Sequence, residues 1–320
     1  MKRALALLVL CLGISHAAAQ SWPSKPITLI IPFPPGGSTD IVGRIVADGL
    51  AKETGQPVLP DNRGGAGGAI GARAIADAAP DGHTLGIATV STHVVNAIVK
   101  GTALGYDPLR DFTLVSQIAA VPNVVSVHPS VPAKTMAELL AYARANPGKL
   151  NYGTPGVGSL GHLIGETFKY AAKVDLVHVP YKGAGPALND ALAGQIQVLF
   201  DNLPSSLPHI QAGRLRALAV ASGQRVPMLP EIPTYAELGL AAVNDPSWFG
   251  LVAPARLPSD VTAKVHAALA RVLKQPEVMK RLDAAAANPI GNSPEAFRKV
   301  VADALDTTRR VAREANLRFE

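Results

Sequence analysis

The sequence predicts an α/β protein of two lobes, and three observations carry that expectation. Short β-like runs alternate with helical patterns along most of the chain. The 320-residue length suits one large domain or two. Prolines punctuate the alternation at Val121-Pro122 and across residues 226–233, where three fall within eight positions. These two segments read as crossings, giving a first lobe built from both ends of the chain and a second lobe from its middle.

The elements follow in order. Ile27–Ile31 is a compact apolar strand, and residues 41–50 have the spacing of a helix. Residues 84–88 and Asn123–Val127 read as further strands. Residues 135–145 form a helix, with Thr135 as cap and Glu138 three positions on completing a capping box. Strand-like runs recur at 176–179, 197–200, 215–221 and 249–253. After Ser259, the residues Val261, Val265, Leu269 and Val272 keep helical spacing over 260–273. Ser293-Pro294-Glu295 starts a last helix that runs to about residue 315, with proline at the first helical position.

The N-terminus reads as an export signal. Lys2 and Arg3 precede an apolar run over residues 4–14, and Ala17 and Ala19 place a cleavage site before Gln20. The run falls short of the roughly 20 apolar residues that span a bilayer. Cys11 follows Leu10 rather than a small residue, which argues against lipidation. It is the only cysteine, so the processed chain could form neither a disulfide nor a thiolate metal site. Loss of Lys2 and Arg3 takes the 30 basic residues to 28, against 24 acidic ones, for a net charge of +4. There is no basic run interleaved with aromatics, so nucleic acid is not expected as a partner. The mild positive field suits an anionic ligand as well as it suits an ordinary solvated surface.

The chemically informative residues cluster where a strand ends, a glycine turn follows and a helix begins. The first such loop is Pro32-Phe33-Pro34-Pro35-Gly36-Gly37-Ser38-Thr39-Asp40. Its glycines allow unusual backbone angles, and free N–H groups at the helix start would face one place. It reads either as a capped tight turn or as an anion site. The second is Asn62-Arg63-Gly64-Gly65-Ala66-Gly67-Gly68, a flexible turn or a ligand contact. The third runs from Tyr152 through Thr154, Gly156, Gly158 and Ser159 to His162. The fourth, Val179-Pro180-Tyr181-Lys182-Gly183-Ala184-Gly185-Pro186, adds a phenol and an ammonium. In an open sheet, ligands bind beyond the carboxyl ends of strands.

Other motifs carry less. Gly156, Gly158 and Gly161 spell G-x-G-x-x-G, but the preceding strand is short and polar and Pro155 interrupts it. Ser159 suggests a hydrolase elbow, yet Val157 stands where the first glycine of G-x-S-x-G belongs. A secreted, esterase-like hydrolase using Ser159 is the alternative reading, without a convincing base for the nucleophile. The eight histidines show no metal-ligand spacing, and no cofactor is implied.

Taken together, the loops resemble the Bug (TctC-type) extracytoplasmic solute receptors of tripartite tricarboxylate transporters. The resemblance runs from Trp22-Pro23-Ser24-Lys25-Pro26-Ile27 through the loop ending at Asp40, Asn62-Arg63, Pro80-Asp81-Gly82-His83-Thr84-Leu85, Asn151 to His162, and Val179 to Gly183, to Trp248-Phe249-Gly250. Gly64 departs from the proline common there. The resemblance implies a periplasmic-binding-protein type II-like fold, two α/β lobes around a ligand cleft with crossing hinge segments. The divisions expected are a signal peptide at 1–19, a first lobe at 20–122 and 246–320, and a second lobe at 123–245. It implies a non-enzymatic, soluble, periplasmic, monomeric receptor that closes on a small carboxylate and serves transporter membrane subunits or a sensor. Carried onto this sequence, Phe33, Gly36, Gly37, Ser38 and Asp40 would form one jaw. Thr154, Gly158 and Ser159 would form the other. Ser91, Thr92 and His93 would line the cleft, with Tyr181 and Asp201 as weaker members. Asp40, being an acid, is expected to organise the helix start rather than meet a carboxylate.

Overall fold

A computed structural model describes residues 22–314; the expected signal segment and cleavage site lie outside the described residues. In chain order, β1 (Ile27–Ile31) leads to α1 (Ser38–Thr54), β2 (Val58–Asn62), α2 (Ala69–Ala76) and β3 (Thr84–Thr89). A π-turn at Ser91–Val95 and the short α3 (Asn96–Lys100) precede β4 (Phe112–Val121). The middle of the chain contributes β5 (Asn123–Val127), α4 (Met136–Ala145), β6 (Asn151–Thr154), α5 (Leu160–Ala172), β7 (Val177–Pro180), α6 (Ala184–Leu192), β8 (Val198–Asn202), α7 (Leu203–Gln211) and β9 (Arg216–Ala221). The return contributes β10 (Ser247–Pro254), α8 (Ser259–Val272), α9 (Pro276–Ala284), β11 (Asn288–Pro289) and α10 (Pro294–Glu314).

Two sheets organise the molecule. One has the order β11-β4-β10-β3-β1-β2 and the other β7-β6-β8-β5-β9. β1 runs parallel to β2 and β3, while β10 is antiparallel to β3 and β4. In the second sheet β6 is parallel to β7 and β8, and β5 is antiparallel to β8 and β9. The chain leaves the first sheet at Val121 and enters the second at Asn123, then returns between Ala221 and Ser247. The structure is therefore two α/β lobes joined by two crossings.

The first lobe shows why its strands read as continuous apolar runs. On β1, Ile27, Leu29 and Ile31 pack on one face, against Val42, Val46 and Leu50 of α1 and Val265, Leu269 and Val272 of α8. Ile30 points to the other face, into a separate core with Ile75. Helices cover both sides, so neither face needs polar residues. In the second lobe the capping box is present as read: Thr135 accepts from the Glu138 N–H, and Glu138 reaches back to the Thr135 N–H at 3.2 Å. The helix read at 41–50 starts earlier, at Ser38, which brings its free N–H groups up to the Gly36-Gly37 turn.

Candidate functional site

A small cavity lies between the lobes, and the strand ends build it. From the first lobe come Phe33 after β1, Gly37, Ser38 and Thr39 at the start of α1, Thr89 at the end of β3, Ser91 beside it, and Ser247 and Phe249 of β10. From the second come Pro155 after β6, Ala184 at the start of α6 and Asn202 at the end of β8. These positions are where an open parallel sheet gathers ligand contacts. The cavity volume is only about 20 Å³, room for about one water molecule. No charged side chain lines it. Larger concavities lie elsewhere, one of about 620 Å³ beside α10 and the 101–110 segment, and an apolar groove of about 310 Å³ between α5 and α10. Of the glycine loops, only Leu160 at the end of the third reaches either one, in the apolar groove.

The first jaw is a helix N-terminus held in shape from below. Gly36 has φ +87°, which glycine adopts freely. Its N–H donates to Asp40 Oδ2 at 3.1 Å. Asp40 Oδ1 accepts from Arg44 Nε at 2.9 Å and from Asn62 Nδ2 at 2.9 Å, and the same amide donates to the Phe33 carbonyl. The carboxylate is buried but answered by a cation and two further donors. Asp40 thus fixes the loop and stays out of the cavity lining. Above it, the N–H groups of Gly37, Ser38 and Thr39 meet no acceptor among the described residues.

The second jaw is also a helix start, but that of α6. The N–H groups of Ala184 and Gly185 likewise meet no acceptor among the described residues. A Cβ on Gly37 would stand 3.1 Å from the Ala184 methyl and 3.7 Å from the Gly185 nitrogen. Two helix N-termini therefore face one another across the cavity, and both carry the positive end of a helix dipole.

The sequence pointed to different residues here, and the structure turns several of them away. Thr154 Oγ1 lies 2.7 Å from His178 Nε2 and accepts from the Gly156 N–H at 3.2 Å. Ser159 caps α5, its hydroxyl accepting from the His162 backbone N–H at 3.2 Å. Gly158 packs against Asn96. From that loop it is Pro155 that lines the cavity. Thr92 closes a turn with Thr89. His93 is fully buried, 4.5 Å from the Phe112 ring, and burial pushes its imidazole down to about 3. The Tyr181 hydroxyl donates to Asp190 at 2.7 Å, and burial raises the phenol further. Asp201 is buried under the floor, accepting from Ser205 at 2.5 Å and Ser206 at 2.8 Å, and desolvation raises its carboxyl. Of the expected set, Phe33, Gly37, Ser38 and Ser91 reach the cavity. Sequence reading missed Thr39, Thr89, Pro155, Ala184, Asn202, Ser247 and Phe249. Ala184 could have been found, since it opens the helix after the fourth glycine loop.

The lobes meet around this cavity through backbone. Cβ atoms would fall 2.6 Å from the Val157 carbonyl at Gly67, 2.4 Å from the Pro34 ring at Gly183, and 2.6 Å from the Pro35 carbonyl at Gly185. Across the seam, Ser38 Oγ donates to the Asn202 carbonyl at 3.0 Å and lies 2.8 Å from Ser205 Oγ. The Leu160 N–H donates to Ser91 Oγ at 2.9 Å. The second and fourth loops thus serve largely as contact surfaces between lobes.

Comparison with known proteins gives a consistent result. Residues 42–317 match the family model TctC, described as tripartite tricarboxylate transporter family receptor. The chain is 33% identical over 324 residues to protein BugT of Bordetella pertussis, spanning 100% of this chain and 99% of that one. A solved structure of R. palustris Rpa4515 with adipate matches with a TM-score of 0.88 at 39% identity, over 92% of this chain and 98% of that one. MatC (Rpa3494) from Rhodopseudomonas palustris, solved with bound malate, matches with a TM-score of 0.86 at 33% identity, over 91% and 99% of the two chains.

Proposed function

Because this chain belongs to the tripartite tricarboxylate transporter receptor family, we propose that it captures a small carboxylate between two opposed helix N-termini as its lobes close. The observation that carries this reading is the set of backbone N–H groups at Gly37, Ser38, Thr39 and Ala184, which line one cavity and meet no acceptor among the described residues. A carboxylate offers four lone-pair sites and no donor, which suits such a set. Hydrogen bonds to a charged group contribute about 1.5–3 kcal/mol each, so three or four of them, with burial, reach the roughly −8 kcal/mol of micromolar binding. Relatives solved with adipate and with malate support the carboxylate class.

The cavity of about 20 Å³ is smaller than such a ligand, so capture requires the lobes to part and close again, a hinge motion of the kind binding proteins use. In this reading the processed protein works as a monomer in the periplasm and hands its ligand to transporter membrane subunits or reports to a sensor. Its lobes are 20–122 with 246–320, and 123–245. Among the described residues no helix is long and apolar enough to cross a membrane. The esterase-like alternative gains nothing from the site, since the Ser159 hydroxyl accepts a backbone N–H as a helix cap.

Thermal unfolding against a panel of organic acids tests the proposal. A ligand at 100 times its Kd stabilises by about 2.7 kcal/mol, which raises Tm by about 5 °C in a chain of this size. A panel in which no carboxylate moves Tm would overturn it.

A further inference from the structure

We propose that the apolar groove between α5 and α10 is a second binding site, for a small organic ammonium with an apolar body. Its occupant favours the closed arrangement of the lobes. That coupling rests on the lobe closure proposed for carboxylate capture, while the site itself does not. The groove's volume of about 310 Å³ sits at the lower end of the range for small-molecule pockets, which are concave and mainly apolar with a few polar groups. Leu163 and Ile164 of α5 form one wall, and Val300, Ala304 and Val311 of α10 the other. Trp248 and Val243, both buried, also line it. An aromatic body suits a lining that includes an indole ring.

Charge narrows the choice of occupant. The charged side chains lining the groove are Asp245 and Asp303, and no Lys, Arg or His joins them. Asp303 pairs with Lys299 at 2.7 Å, but both partners are well exposed, and such a pair holds only weakly. Asp245 is exposed at the crossing. Among the described residues its carboxylate has neither a cation nor a hydrogen-bond donor. An anion would meet two like charges here, and a neutral molecule would use the apolar walls alone. An ammonium on an apolar body uses the walls and the acids together.

The groove and the carboxylate cavity share their supports. Trp248 lies between Ser247 and Phe249 on β10, and alternation puts it on the opposite face from those two cavity residues. Trp248 and Phe249 accordingly pack into different cores. Val90 lines the groove and the next residue, Ser91, lines the cavity. The Ser91 hydroxyl accepts from Leu160, a groove residue of the other lobe. Because α5 belongs to the second lobe and α10 to the first, parting the lobes moves one wall from the other. A molecule that touches both walls at their present spacing binds the closed arrangement better, and that difference is what shifts the equilibrium.

Calorimetric titration with phenethylamine and 2-phenylethanol, which share an apolar body and differ in charge, tests the site. The amine should bind with a Kd of about 1 mM or tighter. It should bind about threefold or more tightly than the alcohol, a margin suited to partly exposed charges. Replacing both acids, Asp245→Asn and Asp303→Asn, should erase that margin; both positions are exposed, so the fold is not at stake. Ala304→Phe, on the half-buried groove face of α10, should abolish binding of both compounds. X-ray scattering should show phenethylamine making the otherwise unliganded protein more compact. No binding of the amine, an alcohol that binds as well, a margin that survives loss of both acids, or binding that survives Ala304→Phe overturns the site. Unchanged compactness overturns the coupling. The thermal panel of organic acids judges carboxylate capture separately.

Discussion

Three hydroxyl residues show how the same side chain is put to different uses. Ser38 bridges the lobes, Ser91 lines the cavity while accepting from Leu160, and Ser159 caps a helix. All three sit beside glycine turns or strand ends and look alike in sequence. Their loops were legible, but the side of the loop each faces was not, because that depends on where the opposite lobe comes to rest. Ser159→Ala should therefore cost about 1 kcal/mol of stability, as loss of an N-cap does, with carboxylate affinity staying within about twofold. Urea unfolding and calorimetric titration of one variant measure both. A large loss of affinity with unchanged stability would return Ser159 to the binding surface. Asp40 was readable for the opposite reason. An acid in the first turn of a helix can act on its own loop, and all its contacts lie within the first lobe.

At the scale of elements, strands with one simple neighbourhood were easy to read and β4, paired on both sides between β11 and β10, was not. β4 runs for ten residues through Phe112-Thr113-Leu114-Val115-Ser116-Gln117-Ile118 and is buried nearly throughout. With helices on both faces it shows no alternation, and Ser116 and Gln117 obscure its apolar run. Their polar groups are satisfied by Asn292, far away in sequence. β2 carries Pro60, tolerable because it lies at the sheet edge. The glycine loops were legible as loops, while their task as a seam was not. Gly185 separates the two roles. It sits inside α6 without a left-handed φ, so Gly185→Ala should stabilise the helix by about 1 kcal/mol. The added Cβ would fall 2.6 Å from the Pro35 carbonyl of the other lobe. The expected outcome is an unliganded Tm that holds or rises together with affinity weakened by about tenfold or more, a loss of about 1.4 kcal/mol in closure. Scattering measurements should show the liganded variant remaining more extended than the parent. Unaltered affinity would mean that closure does not bring these backbones together.

For the whole molecule, α/β layering and two lobes followed from strand–helix alternation and the two proline-marked crossings. How the lobes meet is a rigid-body property that no local pattern encodes. Acid sensitivity is a further property of the whole, with a clear sign. His93 is buried beside Phe112, and His178 stacks between Tyr152 and His162 at 4.9 and 4.1 Å. Burial pushes both imidazoles down to about 3. In the unfolded chain they titrate near pH ~6.5, so below that pH the unfolded state binds more protons and stability falls. Stability should be flat with respect to these groups above pH ~6.5 and decline from there toward pH ~3, His93 alone accounting for about 2–3 kcal/mol at pH ~4.5. Denaturation midpoints at neutral and acid pH measure this, and His93→Leu should flatten the decline. The binding cavity behaves differently. Peptide N–H groups have no ionisation to lose over this range, and closure shuts mobile ions away from a charge held between them. A receptor built with an arginine clamp on an open surface would weaken in brine. On the function proposed above, an anion held by backbone dipoles inside a closed seam would be gripped with a strength that follows the ligand's own ionisation and little else, so salt added to the medium should leave its affinity nearly unchanged.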